Sequence, residues 1–265
     1  MPTELPPSGL SKYGWIPDLP DIRDHLFKSI APEARPLPSK VDLRPLCGPI
    51  VNQASLGSCV GNAIASAHLF NQMKQRRISR NTLPPSFYPS RLFVYYNARA
   101  AEGTIEVDAG TTIRTGVKSV DKQGVCPESM WPYFPHLFKS RPYSAAFDRA
   151  IFHQAISYER LDTLQQCKRC LADGLPFVFG FSVYDSFESN TVTQTGMMSI
   201  PQTTERLLGG HAVMAVGYDD ATGYFTVMNS WGKYWGDKGY FYMPYAIIIN
   251  PNLSADFWVI RKVES

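Results

Sequence analysis

The chain has little of several features that mark particular classes of protein. Five cysteines in 265 residues are too few for a disulfide-rich scaffold, and the odd number leaves at least one thiol unpaired within the chain. The net charge is only +3, without runs of like charge, so neither nucleic acid nor a membrane surface is an expected partner. The apolar stretches, such as 177–181, are far too short to span a bilayer.

The N-terminal segment has a composition of its own. Its first ten residues lack the basic start and apolar core of a secretory signal, which leaves secreted or periplasmic and cytoplasmic locations both open. Residues 1–40 hold eight of the 21 prolines, and proline excludes a long helix because it lacks the backbone donor. Since Tyr13, Trp15 and Ile16 are apolar, we expect an extended arm that lies against the rest of the protein.

The rest of the chain divides into two halves of different character. Residues 41–150 are expected to be mainly helical, because apolar residues recur at three- and four-residue steps. Residues 151–265 are expected to be β-rich, with short runs of Val, Phe and Tyr between turn residues. This order predicts an α+β protein, one catalytic domain with a cleft between its halves. The helix candidates are 58–77, 92–101, 111–123 and 161–172, and the strand candidates are 177–183, 212–218, 224–228 and 239–243.

Cys59 is a candidate nucleophile because of its position. An ordinary cysteine, with a pKa of about 8.5, is mostly protonated at neutral pH and needs that pKa lowered. Cys59 follows Gly57-Ser58 and opens a predicted helix, whose N–H groups and positive dipole end favour a thiolate. Taken by itself, the residue could equally be a buried structural cysteine.

His211 is the best candidate among five histidines for the basic partner. His68 lies nine residues along the same helix as Cys59, about 13 Å away and on the opposite face. His211 instead follows two glycines at the start of an apolar run, where it would face a cleft or a loop. A structural histidine is the alternative. The remaining histidines are predicted to lie on the surface: His25, His136 and His153.

Two further residues complete a possible catalytic set. Asn229 directly follows a strand candidate that would form a hairpin with the strand after His211. Its amide oxygen could then fix the tautomer and direction of the imidazole. A thioester route also needs donors for an oxyanion, which the Gln53 side chain and the Cys59 backbone N–H could supply. Alone, Gln53 would be read as a surface-loop residue.

Together these residues resemble the papain family of cysteine peptidases, in order and in spacing. His211 lies 152 residues after Cys59, close to the separation of about 130–150 in the family. The resemblance covers roughly residues 41–245 and is closer to bacterial members than to plant papains or lysosomal cathepsins. The motifs are Gln53, Gly57-Ser58-Cys59, Asp108-Ala109-Gly110, Gly210-His211-Ala212, Asn229-Ser230-Trp231-Gly232 and residues 235–240.

The resemblance implies a papain-like two-lobed fold, with a helical lobe, a β-barrel-like lobe and the active-site cleft between them. It implies a cysteine endopeptidase with Cys59 as nucleophile, His211 as general acid/base and Asn229 as its orienter. Gln53 would complete the oxyanion hole. No metal or other cofactor is implied; the implied partners are peptide or protein substrates and cystatin-type inhibitors, with a monomeric enzyme. The implied substrate-binding residues are Gly57, Asp108, Ala109, Gly110, Gly210 and Trp231.

The other cysteines need a separate explanation. Leu56 and Val107 stand where the family usually has a disulfide, so packing is expected to replace that bond. Cys47 and Cys126 could pair with each other. The remaining two, Cys167 and Cys170, are either packed thiols or a local disulfide, because a zinc site would need a second ligand pair.

The arm has two possible roles. The family's usual long helical propeptide is missing, so residues 1–40 are hypothesised to cover the cleft as a short pro-segment of a zymogen. A strap on the outside of the β half is the alternative. Two other functions stay open: a related acyl-transfer enzyme, such as a ligase or transglutaminase, and an inactive peptide-binding scaffold.

Overall fold

The computed structural model describes residues 13–28, 36–80 and 86–264. The helices are α1 Cys59–Ile78, α2 Arg91–Glu102, α3 Ile113–Gln123, α4 Ser144–Ala150, α5 Leu164–Ala172, α6 Asn190–Thr195 and α7 Tyr245–Ile248, with 3-10 turns at Arg44–Leu46, Pro135–Leu137 and Asp185–Glu188. The strands are β1 Trp15–Ile16, β2 Lys40–Asp42, β3 Thr111–Thr112, β4 Ala155–Leu161, β5 Phe177–Tyr184, β6 Leu207–Asp219, β7 Tyr224–Met228, β8 Tyr240–Pro244 and β9 Ser254–Val263.

The first half of the chain is helical, as predicted, and local capping sets the helix ends. The Ser90 hydroxyl accepts the Phe93 N–H at the start of α2, and Gly103 ends that helix at φ 72°. Such a positive φ favours glycine because a Cβ is strained there. At α3 the cap is Thr112, which belongs to the short strand β3, so this helix begins two residues later than expected.

The second half forms one antiparallel sheet in the order β4-β9-β5-β6-β7-β8, and β2 pairs with the far end of β6. The central strand β5 is buried on both faces over most of its length, which explains its continuous apolar sequence. Among the described residues the sheet is open, with β4 and β8 at its ends, and does not close into a barrel. The α+β prediction is confirmed.

A shared core joins the two halves. One cluster lies within the sheet half and a second within the helical half, around Phe93 and Trp131. A third contains Cys59 and Ile64 from α1 together with Ala212 of β6. Burial of this apolar surface holds α1 against the sheet, so the start of α1 and the middle of β6 keep a fixed relation.

Residues 13–28 follow two surfaces in succession. Trp15 and Ile16 pair with β3 in a parallel ladder, and the Trp15 side chain lies in the core that the halves share. Farther along, the Phe27 N–H donates to Arg160 O at 2.8 Å, beside β4 on the outer edge of the sheet. Both positions considered for the arm are thus occupied, by different parts of it. None of the described helices is both long enough and apolar enough to cross a lipid bilayer.

Candidate active site

Cys59 is the first residue of α1 and is fully buried. Ser58 occupies the cap position, but its hydroxyl does not cap the helix. The hydroxyl instead contacts Tyr133 Oη and Asn62 Nδ2. The backbone N–H groups at the start of α1 therefore have no cap from Ser58. Those of Cys59 and Val60 act to lower the pKa of the Cys59 thiol.

His211 lies within β6 rather than at its start, and it is also fully buried. The predicted hairpin of β6 and β7 is present, with Met214 opposite Met228. His211 Nε2 lies 2.8 Å from Asn229 Oδ1, and the Trp231 ring lies 4.8 Å from the imidazole at a 31° tilt. An Nε2–H that donates to this amide oxygen leaves Nδ1 as the basic nitrogen. No described group hydrogen-bonds Nδ1.

Strand β6, which carries His211, packs against the start of helix α1 beside Cys59. The backbone N–H of Ala212, the residue after His211, acts to lower the pKa of the Cys59 thiol. The same two residues share one hydrophobic cluster. Cys59, His211 and Asn229, which are far apart in the sequence, are therefore brought to one location.

Gln53 is held at both ends of its amide. Ser230 Oγ donates to Oε1 at 2.6 Å, while Nε2 donates to Leu56 O at 2.9 Å. The backbone N–H of Gln53 also donates to Ser230 O at 2.8 Å. This hydrogen bonding connects the loop before α1 to the strand end that carries Asn229, and it sets which end of the amide is the donor.

The substrate-binding candidates fall into two groups. Asp108 accepts the Gly57 N–H at 3.1 Å and the Tyr95 hydroxyl at 2.6 Å, so its carboxylate supports the loop before Cys59. The Tyr95 hydroxyl in turn accepts the Gly110 N–H at 3.1 Å. The other candidates line the space above these backbones: Gly57, Gly110 and Gly210 face the arm, Trp231 covers His211, and Ala109 is exposed.

The arm fills this space by close backbone contact. A Cβ on Gly14 would lie 1.8 Å from the carbonyl oxygen of Gly57, and a Cβ on Gly110 would lie 2.1 Å from Gly14 O. The Thr111 N–H donates to that same Gly14 oxygen at 2.9 Å. Only glycine at these positions allows the backbones to approach so closely.

Two aromatic side chains of the arm cover the histidine side of the site. The Tyr13 ring lies 6.1 Å from the His211 ring. The Trp15 indole fills a pocket whose wall is Gly180, where a Cβ would lie only 2.0 Å from the ring. At the floor of the pocket Trp15 Nε1 donates to Asp256 Oδ2 at 3.1 Å. The absence of a side chain at Gly180 and Gly210 thus leaves the space that the Trp15 side chain occupies.

Burial keeps the catalytic candidates neutral in this state. Loss of solvent raises the pKa of the Cys59 thiol to about 11, although backbone N–H groups of Ala212 and Gly14 act in the opposite direction. Burial likewise lowers the pKa of His211 to about 4, against the effect of Asn229. A thiolate at the helix start was expected from the sequence; with the arm in place, burial outweighs the helix end.

Several expectations for other residues are wrong. All five cysteines are free thiols, so Cys47 and Cys126 do not pair, whereas Cys167 and Cys170 are packed thiols, one of the two expected alternatives. Val107 is 55% exposed, so only Leu56 packs where the family disulfide would be. The third correction concerns a histidine: His153 is buried against the Phe87 ring, because the segment before β4 folds onto the helical half.

Sequence reasoning missed the residues that support the site. Ser230, inside the motif 229–232, donates through its hydroxyl to Gln53 Oε1, and the Tyr133 hydroxyl donates to the carbonyl oxygen of Gln53 at 2.9 Å. Their hydroxyls are the signal that could have identified them. Arg114 and Asp256, which hold the arm, belong to no motif. Within the described residues no group of three His, Cys, Asp or Glu could hold a metal ion.

Comparison with known proteins identifies what the chain resembles. The family model described as papain family cysteine protease matches residues 96–252. An uncharacterised peptidase C1-like protein of Acanthamoeba polyphaga mimivirus is 41% identical over 95% of this chain and 87% of its own length. The structure of xylellain, a cysteine protease from Xylella fastidiosa, matches with a TM-score of 0.86 and 40% identity, over 98% of this chain and 99% of xylellain.

A more distant structure shares the fold alone. The Carica candamarcensis cysteine protease CMS1MS2, solved in complex with E-64, has a TM-score of 0.57 and 20% identity, covering 78% of this chain and 89% of that protein. These matches confirm the fold that the motifs predicted, and the similarity to xylellain confirms the bacterial type.

Proposed function

This chain belongs to the papain family of cysteine proteases, and on that basis we propose that it hydrolyses peptide bonds through a thioester on Cys59. One observation carries the proposal: His211 Nε2 lies 2.8 Å from Asn229 Oδ1, and the next residue of the same strand, Ala212, packs with Cys59 in one hydrophobic cluster. This arrangement supports Cys59 as nucleophile, His211 as base and Asn229 as orienter, the three roles that covalent catalysis requires.

In the proposed reaction His211 Nδ1 takes the thiol proton and the Cys59 sulfur bonds to the scissile carbonyl carbon. The Cys59 N–H and the Gln53 amide donate to the oxyanion. When the tetrahedral intermediate collapses, the C–N bond breaks and His211 gives its proton to the leaving amine. Water then attacks the thioester carbon while His211 takes its proton; the C–S bond breaks, the carboxylic acid product leaves, and His211 returns the proton to the Cys59 sulfur.

We further propose that the arm keeps the enzyme inactive. Three contacts support this: Gly14 lies against Gly57, Trp15 fills the pocket beside Cys59, and Tyr13 covers His211. A peptide substrate could not reach the buried sulfur while these contacts persist. Because the pKa of Cys59 is raised and the pKa of His211 is lowered, both groups are neutral at pH 7, and this too keeps the enzyme inactive.

Labelling of Cys59 with the epoxide E-64, followed by peptide mapping, tests both proposals. The full-length protein is compared with Trp15→Ala, which empties the pocket, and with Ile22→Ala, whose side chain is fully exposed in the same arm. We expect slow labelling in the wild type and in Ile22→Ala, and labelling about tenfold faster or more in Trp15→Ala. Modification should be confined to Cys59 because Trp15→Ala uncovers that thiol alone: Cys126, Cys167 and Cys170 stay buried in the other two clusters, and burial raises the pKa of Cys47 to about 12.

The outcomes separate the two proposals. Failure to label Cys59 in every variant would reject the nucleophile. Equally fast labelling in all three would keep the nucleophile and reject inhibition by the arm.

The comparisons do not favour an acyl-transfer enzyme or an inactive scaffold. Binding of cystatin-type inhibitors and a monomeric state stay predictions.

A further inference from the structure

The arm is also held by charged groups away from the catalytic residues. Two arm carboxylates, Asp18 and Asp24, lie almost fully buried between Arg114 of α3 and Arg160 of β4. We call this cluster, completed by Asp256 and Trp258 of β9, the anchor. Its members come from the arm, the helical half and the sheet half, so it spans the boundary of the two lobes.

Arg114 has the chemistry of a carboxylate receptor. Its Nε and Nη2 bind the two oxygens of Asp24 at 3.0 and 2.6 Å, a bidentate pair that fixes direction as well as charge. Nη1 donates to Leu19 O at 2.6 Å, and its backbone N–H donates to Asp18 at 3.2 Å. All hydrogen bonds that the described residues make with the Arg114 guanidinium come from the arm.

The second arm carboxylate, Asp18, has binding partners of its own. Asp18 accepts the Trp258 indole N–H at 3.0 Å, and Arg160 lies 3.8 Å away. Both guanidinium groups lie 5.8 Å from the Trp258 ring, so the indole contacts the two cations with its face and the anion with its N–H.

Departure of the arm changes the charge balance of the anchor. Two carboxylates leave, while Asp256 and the half-exposed Asp162 both lie near Arg160, at 3.4 and 3.7 Å. Arg114 then has no carboxylate partner among the described residues outside the arm. The Arg114 guanidinium, which is preorganised for bidentate binding, would then be unpaired among these residues, and it lies beside the groove that the arm follows to Cys59.

This path is short. Gly14 lies against Gly57, two residues before Cys59, and Asp18 is four residues after Gly14, which is about 14 Å of extended chain at most. A peptide that lies in the same groove with its reacting carbonyl at Cys59 would carry a side chain about four residues away to the anchor.

We propose that Arg114, Arg160 and the Trp258 indole N–H form a binding site for an acidic side chain of a peptide substrate, which the arm occupies with its own aspartates. The inference rests on the proposed function, because the site opens to substrate only when the arm leaves. The site selects carboxylates by bidentate geometry and charge, and it contains none of the proposed catalytic residues.

A binding measurement tests the site without catalysis. The full-length protein carries Cys59→Ala, and its own arm is weakened by Trp15→Ala, Asp18→Asn and Asp24→Asn. A fluorescent peptide with the sequence of residues 13–25 is titrated against it, and anisotropy is read. We expect the D18N/D24N form of the peptide to bind at least tenfold more weakly, with the difference lost in Arg114→Gln. Lys118→Gln, which removes a charge from the same helix near Asp21, is the matched control.

A substrate measurement follows, in the arm-weakened protein with Cys59 intact. Quenched fluorescent peptides carry Asp or Asn at each position two to six residues from the cleaved bond. We expect kcat/KM to be about tenfold higher for Asp at a single position, and the preference to vanish in Arg114→Gln but persist in Lys118→Gln.

The results discriminate between the proposals. Equal binding of the two peptides, or an Asp preference that survives Arg114→Gln, would overturn the anchor as a carboxylate site. If no peptide is cleaved and E-64 does not label Cys59, the proposed function fails, and the anisotropy result still decides whether the site binds carboxylates.

Discussion

The arm meets the rest of the protein at two buried sites of opposite chemistry. Around Cys59 and His211 its contacts are backbone and aromatic, and the titratable groups are held neutral by burial. At the anchor, Asp24 is just as buried but forms a bidentate ion pair with Arg114. Backbone and aromatic contacts could be made by many segments, whereas the anchor requires carboxylates at a set spacing. Different residues of the arm therefore cover the proposed catalytic site and bind the anchor.

Replacing His211 should have the largest effect and should act on the catalytic site alone. In the Trp15→Ala protein we expect His211→Ala to lower kcat/KM on a peptide by about 10²–10⁴, the range for loss of a general acid/base. His136→Ala, in the turn Pro135–Leu137, is the control and should leave kcat/KM unchanged. A loss below tenfold for His211→Ala would mean that another group is the base.

Asp24→Asn should break the anchor while leaving the cleft contacts intact. Loss of one partner from a buried ion pair costs roughly 3–5 kcal/mol, and the partial exposure of the arginines reduces that figure. We therefore expect Cys59 labelling by E-64 to become about 10–100 times faster. Asp21→Asn is the matched control, because Asp21 pairs with Arg23 inside the arm. Unchanged labelling in Asp24→Asn would show that the cleft contacts alone hold the arm.

Acid should tighten the anchor. Burial and, next, the arm carboxylate of Asp18 raise the pKa of Asp256 to about 6, while Arg160 acts in the opposite direction. A carboxyl group whose pKa is raised by docking takes up a proton on docking. Docking is therefore strongest below the ordinary aspartate pKa of about 4 and weakens as the pH rises to about 6.

Hydrogen exchange of the Thr111 amide, which donates to Gly14, reports docking in the Cys59→Ala protein. After correction for intrinsic exchange, we expect protection to fall between pH 4 and 6. Asp256→Asn should flatten this dependence, and asparagine tolerates the left-handed backbone at this position, φ 59°. Protection that increases with pH would contradict the proposed sign.

Tyr133→Phe should have the smallest effect on activity, through the loop that carries Gln53. The Tyr133 hydroxyl donates to Gln53 O at 2.9 Å and contacts Ser58. Loss of this hydrogen bond costs about 1 kcal/mol, so we expect kcat to fall by roughly fivefold in the Trp15→Ala background, with little change in KM. Tyr234→Phe, at an exposed tyrosine, is the control. A change in KM alone would assign Tyr133 to substrate binding.

The sequence predicted the parts of the fold that depend on periodicity. Helix α1 and strand β7 were placed within a residue or two, because a regular apolar pattern determines each. Strands β4 and β9 were missed, since charged residues interrupt the apolar pattern in both sequences. His211 was placed at the start of a strand, but β6 begins earlier because Leu207–Gly210 pairs with β5.

What the sequence determined by itself was the family and a candidate catalytic set, because Cys59, His211, Asn229 and Gln53 each stand in a short motif with a chemical reason for its residue types. What only the tertiary structure decided was the state of that set. The protonation of Cys59 depends on whether the arm excludes water from it, and Asp24 meets Arg114 across 90 residues of chain with no motif at either end. Burial and long-range ion pairing are properties of the packed molecule, so no local pattern could reveal them.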